Sequence, residues 1–528
     1  MNSVRVLDCT LRDGGYVNDF RFGQFVITET VSKLSQASID IVECGFLSSQ
    51  ANDPDCSLFG SVESIARFIY PKKQNVMYVA MIQYGAISLE EISPYDGSSI
   101  DGIRVTFHEH EIDPAFQLGK ALMEKGYRVF MQPVGTTTYT EESLLSLIEK
   151  VNLLNPFAFY IVDTLGLMYK NDLIHMFRLI DSHLNPKICI GFHSHNNLQM
   201  SFANAQELID IRANRPIIID ASLYGMGRGA GNLNTELITQ YINHHLLLKY
   251  DCLQLLELID EYIKPLSSKY KWGYDAAYYL SSTAGCHPNY AFFLLNKQSL
   301  RVQDIYAILN RLDNAKRSLY DANFINEEYL KFMNHVIDDQ EVISRYRTLL
   351  KDKPVLLLAP GKSLRYAAET INKELKNKDY FVISINFAPT DIPFHTMFIS
   401  NIKRFKNFQS FSDSANKFDI IATSNLSLSP CQNIYAINYS SYINEEQCII
   451  DNAGLMCMNF LKKVGVQSIV LAGFDGYSEK ADDNFFDEKF TNVVDAERYR
   501  KMNAATKEKL QQLSSQLSIS FLTDSSYR

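Results

Sequence analysis

The sequence predicts an α/β protein. Its first part reads as a (β/α)8 barrel with a helical extension, and its second part as a separate Rossmann-like α/β domain. Three observations lead there. Short apolar runs alternate with helix-like patterns through about the first 225 residues. Polar residues recur where those runs end. After a long helical stretch, a strand signal restarts near residue 355 and leads into a glycine turn.

The eight strand-like runs fall at 4–7, 39–44, 76–81, 102–106, 128–132, 158–162, 188–192 and 217–220. Most are rich in β-branched residues and apolar on both faces, as parallel strands covered by helices must be. Between them lie stretches such as "FVITETVSKLSQAS" and "LLSLIEKVNLL", with apolar residues at helical spacing. Eight strand–helix units suit a closed barrel of roughly 250 residues; a doubly wound open sheet is the alternative. Residues 246–350 become helical throughout, as in "CLQLLELIDEYIKPL" and "VQDIYAILNRL". The division expected is therefore a barrel over 1–245, a helical extension over 246–350 and a second α/β domain over 351–528. Strands of that domain are expected at 355–358, 381–385, 420–422 and 468–471.

Composition narrows the function classes. Of 528 residues, 46% are hydrophobic and 21% charged, which suits soluble globular domains. The net charge of −9 argues against a nucleic-acid or acidic-membrane partner. No run approaches the roughly 18 apolar residues of a membrane helix, and no leader-like pattern opens the chain. Nine cysteines without a C-x-x-C pair read as free thiols. A cytoplasmic protein is expected.

In a barrel, catalytic groups sit where strands run out into the following loops. Arg12 and Asp13 follow the first run in "LDCTLRDGGY", and Glu43 lies near the end of the second in "IVECGF". Thr164 follows the sixth in "YIVDTLGLMY", and His193 and His195 follow the seventh in "IGFHSHNN". Residues two apart in an extended segment point the same way, so both imidazoles can reach one ion. Asp13 can add a hard oxygen, leaving coordination positions for water and substrate. An isolated H-x-H is more often a hydrogen-bonded barrel pair; Asp13 at a matching strand end favours the metal. A metal and a fixed guanidinium together suit chemistry that leaves an enolate beside a carbonyl.

"TLRDGG", "HSHNNLQMSFANA" and "GMGRGAGNLNTE" resemble the DRE-type metal-dependent TIM-barrel lyases, and best the 4-hydroxy-2-oxovalerate aldolase branch. "DTLGLMYKNDL" and "HPNYAFFLLNKQSLRVQDIYAIL" also resemble that branch. The resemblance covers residues 3 to about 345. It implies that Asp13, His193 and His195 hold a divalent cation, Mn2+ first, with Mg2+, Co2+ or Zn2+ as alternatives. Arg12 would stabilise the enolate oxygen. Glu43, Thr164 and His193 would contact substrate, and Tyr290 would reach into the site. Asn232 matches a metal-ligating asparagine of the lyase branch. The branch keeps its histidine proton acceptor where this chain has Tyr16, so Tyr16, Tyr290, His108 or His110 must take that role, or the substrate differs. The implied partners are a pyruvate-like 2-oxo acid and an aldehyde, and a homo-oligomer is expected.

In the second domain, "VLLLAPGKSLRYAAETI" reads as strand, glycine turn and helix but lacks the P-loop spacing. With "ISINFAP" and "VLAGFDGY" it weakly resembles the Rossmann-like domains of bacterial sialyltransferases and pyrophosphokinase-like proteins. That implies a nucleotide or nucleotide-sugar near Gly361, Ser363, Asn386 and Asp475. The expected function is a metal-dependent aldolase, with a link to carbohydrate or surface-polysaccharide metabolism. A Claisen-type acyl-CoA synthase, or a non-catalytic barrel presenting a nucleotide-binding domain, is the alternative.

Overall fold

A computed structural model describes residues 4–528, apart from 52, 298, 318, 410–417, 427–432, 479, 481–483 and 486–495. The chain divides into two compact units, 1–292 with 313–320, and 293–312 with 321–528. The helical stretch 246–350 is thus shared between them.

The first unit is a closed barrel of parallel strands. These are β1 (Val4–Asp8), β2 (Ile41–Leu47), β3 (Met77–Gln83), β4 (Gly102–Phe107), β5 (Arg128–Pro133), β6 (Ala158–Asp163), β7 (Cys189–Ser194) and β8 (Ile217–Ala221). Each pairs with its sequence neighbour, and β1 closes the ring by pairing with both β2 and β8. The open-sheet alternative is thereby removed. A two-residue strand, Leu58–Phe59, lies beside β2.

Strand alternation separates two cores. One large cluster fills the space between the strands and the helices. A smaller one, including Leu7, Ile41, Val79, Phe130, Tyr160 and Ile218, fills the barrel interior. Inward positions further along the strands are polar: Glu43 on β2, Arg104 on β4, His193 on β7 and Asp220 on β8, all buried. Gly191 on β7 makes room for this arrangement, since a Cβ there would lie 2.3 Å from the Tyr160 ring. Gly45 does the same for β2. Its φ of +147° and a Cβ position 2.0 Å from Ser57 O require glycine at the register shift between Glu43 and Phe46.

The second unit holds a parallel sheet of β9 (Val355–Leu358), β10 (Phe381–Ile385), β11 (Thr396–Ile399), β12 (Asp419–Thr423), β13 (Ile434–Ile437), β14 (Ser468–Ala472) and β15 (Ser518–Phe521). The spatial order is β13-β12-β11-β10-β9-β14-β15. The chain runs outward from β9 on one side, then returns to build β14 and β15 on the other. Between β9 and β14 lies the point where strand order reverses. Among the described residues, no helix is long and apolar enough to cross a membrane.

Candidate metal centre and active site

The ends of β1 and β7 bring Asp13, His193 and His195 together, with one potential ligand atom from each lying within 4.8 Å of the others. Burial alone would raise the Asp13 carboxyl, but Arg12, His195, His193 and the Asn232 amide outweigh it and hold it well below the usual carboxylate range. The carboxylate is therefore ionised. Burial pushes the His195 imidazole down to about 4, so it is neutral near pH 7. Both rings have one nitrogen committed. His193 Nδ1 lies 3.1 Å from Asp220 Oδ2, and His195 Nδ1 lies 3.1 Å from the Arg228 carbonyl. With Nδ1–H donating in each case, Nε2 is the ring nitrogen left to meet a metal, the arrangement a metal-ligating histidine adopts.

Arg12 is buried beside this cluster. Its Nη1 donates to Asp13 Oδ1 at 2.6 Å and its Nε to Glu43 Oε2 at 2.9 Å. Burial opposes the charge, but Glu43 and Asp13 keep the guanidinium protonated. Its Nη2 is buried without a hydrogen-bond partner among the described residues. A chain of alternating charge runs on from there: Glu43 Oε2 lies 2.8 Å from Arg104 Nη1, Arg104 Nη2 donates to Asp220, and Asp220 meets His193. Tyr160 donates to the second Asp220 oxygen at 3.0 Å. Burial would raise the Asp220 carboxyl, but Arg104 and His193 hold it low.

Asn232 closes the other side of Asp13. Its Nδ2 donates to Asp13 Oδ2 at 2.6 Å, and its Oδ1 is buried with no hydrogen-bond partner among the described residues. The donor set fits a divalent cation: an ionised carboxylate, two imidazoles that each have Nδ1 engaged, and a buried amide oxygen beside them. A cavity of about 240 Å3 adjoins the cluster through Gly227 and is bordered by Tyr16, Arg228, Lys271, Tyr278 and His287. A Cβ at Gly227 would lie 2.8 Å from Asp13 Oδ2, so glycine permits this close approach.

The other expected site residues have these surroundings. Glu43, expected to contact substrate, is 1% exposed and pairs through Oε2 with Arg12 and Arg104, while its Oε1 is buried with no hydrogen-bond partner among the described residues. The Tyr290 hydroxyl lies within 2.9 Å of the Lys316 and Leu319 carbonyls, where it ties the helical segment together. Tyr16 does border the cavity, but burial raises its phenol above 10.0, which disfavours it as a proton acceptor. His108 and His110 are exposed beyond β4 and stack on each other. Thr164 Oγ1 accepts from Gly135 N at 2.9 Å, which leaves its hydroxyl proton to donate elsewhere.

Arg104, Tyr160, Asp220, Arg228 and His287 were not singled out by sequence pattern. A visible signal existed for Arg104 in "GIRVTF" and Asp220 in "IIIDAS": a charge at an inward position of an apolar strand. The Arg228 guanidinium lies 5.8 Å from the Tyr16 ring centre, and its Nη2 is 2.7 Å from His287 Nε2. Burial and Arg228 push His287 down to about 4.

In the second unit, Ser363 gives both its N–H and its hydroxyl to Asp475, at 2.7 and 2.5 Å. Asp475 therefore caps the helix Leu364–Asn377 and occupies the donors expected to hold a phosphate. Asn386, at φ +60°, accepts from Ser400 N through its side chain. Gly361, Asn386 and Asp475 border one cleft; Ser363 is not among its lining residues.

Residues 107–260 match the family model described as HMGL-like. That match and the relatives below support the DRE-type metallolyase superfamily for the barrel. A 4-hydroxy-2-oxovalerate aldolase of Pseudoalteromonas translucida is 25% identical over 276 residues, covering 50% of this chain and 76% of the relative. An oxaloacetate decarboxylase of Mycobacterium tuberculosis is 26% identical, covering 44% of this chain and 68% of the relative. Among solved structures, the N-terminal domain of a Bacteroides vulgatus protein described as an aldolase candidate is 26% identical, with a TM-score of 0.48 over 55% of this chain and 96% of that one.

Proposed function

We propose that the HMGL-like barrel is a divalent-metal-dependent aldolase that makes or breaks a carbon–carbon bond between a pyruvate-like enolate and an aldehyde. The observation that carries this is the placement of Arg12. Its guanidinium shares Asp13 with the His193 and His195 pair and keeps a buried, unpartnered Nη2. Asp13, His193 and His195 would hold the cation, Mn2+ first, with Asn232 beside them. When bound, the cation supplies a Lewis acid that favours negative charge on a 2-oxo acid's carbonyl oxygen.

The chain's own groups do the rest. Arg12 is locked by two carboxylates, so its free N–H is a preorganised donor for developing enolate charge. Arg104 and Asp220 keep Glu43 and His193 in place. The Thr164 hydroxyl has a proton to donate to a substrate carboxylate. Tyr16, with its phenol held protonated, acts as a hydrogen-bond donor to the aldehyde or hydroxyl end at the mouth. The likeness to an oxaloacetate decarboxylase supports a second reading, in which the same pyruvate enolate is released by loss of CO2. Arg12 would serve both reactions equally.

The test is pyruvate formation or consumption by chelated and Mn2+-restored protein, with a panel of 4-hydroxy-2-oxo acids, aldehydes and oxaloacetate. Metal-dependent turnover of an aldol substrate is expected. Turnover of oxaloacetate alone would replace the aldolase reading with the decarboxylase. Protein that never retains a divalent metal, together with unchanged turnover in His193→Ala, would remove both.

A further inference from the structure

The second unit contains a cavity of about 450 Å3, and its position is the one that parallel sheets use for ligands. Its floor is built from residues immediately beyond β9, β10, β11 and β14: Pro360, Asn386, Asn401 and Phe474 among them. It therefore opens at the carboxyl ends of the strands, on both sides of the β9–β14 reversal.

Three cations from separate parts of the chain meet at this cleft: Lys297, Arg404 on the helix Ile402–Gln409, and Arg498 on the helix Ala496–Ser514. The Lys297 ammonium lies 4.8 Å from the Phe293 ring centre and 5.0 Å from that of Tyr329, and 3.4 Å from the Gln447 carbonyl. Arg404 lies 5.8 Å from the Phe485 ring centre, and Arg498 Nη2 donates to the Asn296 carbonyl. Two carboxylates share the cleft. Asp475 has both oxygens on Ser363, and Asp451 accepts the Tyr329 hydroxyl at 2.9 Å. Burial pushes Arg404 down to about 10 and also lowers Lys297, where Asp451 favours the ammonium and Arg498 opposes it. A bound anion would reverse those penalties. Tyr477 and Tyr499 stack 5.1 Å apart in the same wall and offer a flat apolar surface.

We propose that this cleft binds a phosphorylated small molecule, with the phosphate held by Lys297, Arg404 and Arg498 and the organic body against Tyr477 and Phe474. Two guanidinium forks and an ammonium suit a multiply charged tetrahedral anion better than a single carboxylate. The phosphate position differs from the glycine turn after β9, because Asp475 already satisfies that turn's donors at Ser363. The proposal is independent of the barrel's chemistry.

The test is titration calorimetry of the full chain with inorganic phosphate, hexose phosphates, nucleoside mono- and diphosphates, and the matching unphosphorylated sugars and nucleosides. At least one organic phosphate should bind, with its unphosphorylated counterpart weaker by about tenfold or more. The nucleotide and sugar-phosphate arms identify the body. Arg404→Gln and Lys297→Gln should each weaken that binding by about tenfold or more while keeping the parent thermal transition, and Asp13→Asn should leave it unchanged. Silence across all phosphorylated probes, equal binding of unphosphorylated ones, inorganic phosphate binding as well as any organic phosphate, or full affinity in both folded variants would overturn the proposal. Because Asp13→Asn removes the barrel's proposed cation ligand, failure of the aldolase reading and failure of this one are read out separately.

Discussion

Arg12 has three nitrogens and two jobs. Nε and Nη1 are spent on Glu43 and Asp13, and that expenditure fixes where Nη2 stands. Lysine carries the charge but not the planar fork, so Arg12→Lys is expected to lower kcat by about 10²- to 10³-fold with the metal still bound. Steady-state kinetics beside metal analysis of the purified variant checks both halves. Tyr16 makes a milder contribution. With its phenol held protonated, Tyr16→Phe removes one donor and should cost about ten- to a hundredfold in kcat/KM, and any rise of the rate with pH in the parent protein should persist in the variant, since such a rise marks the deprotonation of an essential base. Loss of that rise in Tyr16→Phe would restore Tyr16 as the acceptor.

At the scale of single elements, β1 carries a pH-sensitive carboxyl. Asp8 is buried, accepts from Thr235 Oγ1 at 2.6 Å and Thr10 N at 2.9 Å, and burial still raises it to about 6. The folded state therefore holds this proton more tightly than the unfolded chain. The stability it contributes is full below about pH 4 and is lost as pH rises through about 6. The loss is about 3 kcal/mol from this group. Asp8→Asn keeps the shape without the charge. It should flatten this part of the stability profile between pH 4 and 7, as read by denaturant unfolding across that range. In the second unit, Asp475→Ala uncaps the helix Leu364–Asn377 and should cost about 1–2 kcal/mol of that unit's stability, measured the same way. Gly45→Ala belongs to this scale too. The bulge in β2 has no space for a Cβ beside Ser57 O, so folded yield should fall sharply.

For the molecule as a whole, the Asp13, His193 and His195 cluster ties β1 to β7, whose members lie far apart in sequence. A cation bound there stabilises the folded barrel against the unfolded chain. At a hundredfold excess over Kd the gain is about 2.7 kcal/mol. Calorimetric melting of chelated protein should show one transition rise on adding Mn2+, and Asp13→Asn should abolish that rise. A transition indifferent to metal in the parent protein would remove the cluster from consideration as a metal centre.

What the sequence by itself determined is what local pattern can encode. Apolar β-rich runs separated by helical spacing fixed the barrel, because burial on both faces leaves that signature in each strand. The pairing of β1 with both neighbours then closes it, as eight repeated units require. The placement of Asp13, His193 and His195 at strand ends was legible for the same reason. Short strands were harder: β13 and β15 have four residues each and are only partly buried, so neither leaves the long, doubly buried run that marks the barrel strands. Only the tertiary structure decided the contacts between distant residues. Arg104 and Asp220 are 116 positions apart, and Arg104 also pairs with Glu43, which in turn holds Arg12. Asp475, far along the chain from Ser363, became a helix cap, and Tyr290 turned to backbone carbonyls at 316 and 319. A side chain's type limits what it can bind, but which partner it meets depends on chain segments that local sequence does not record.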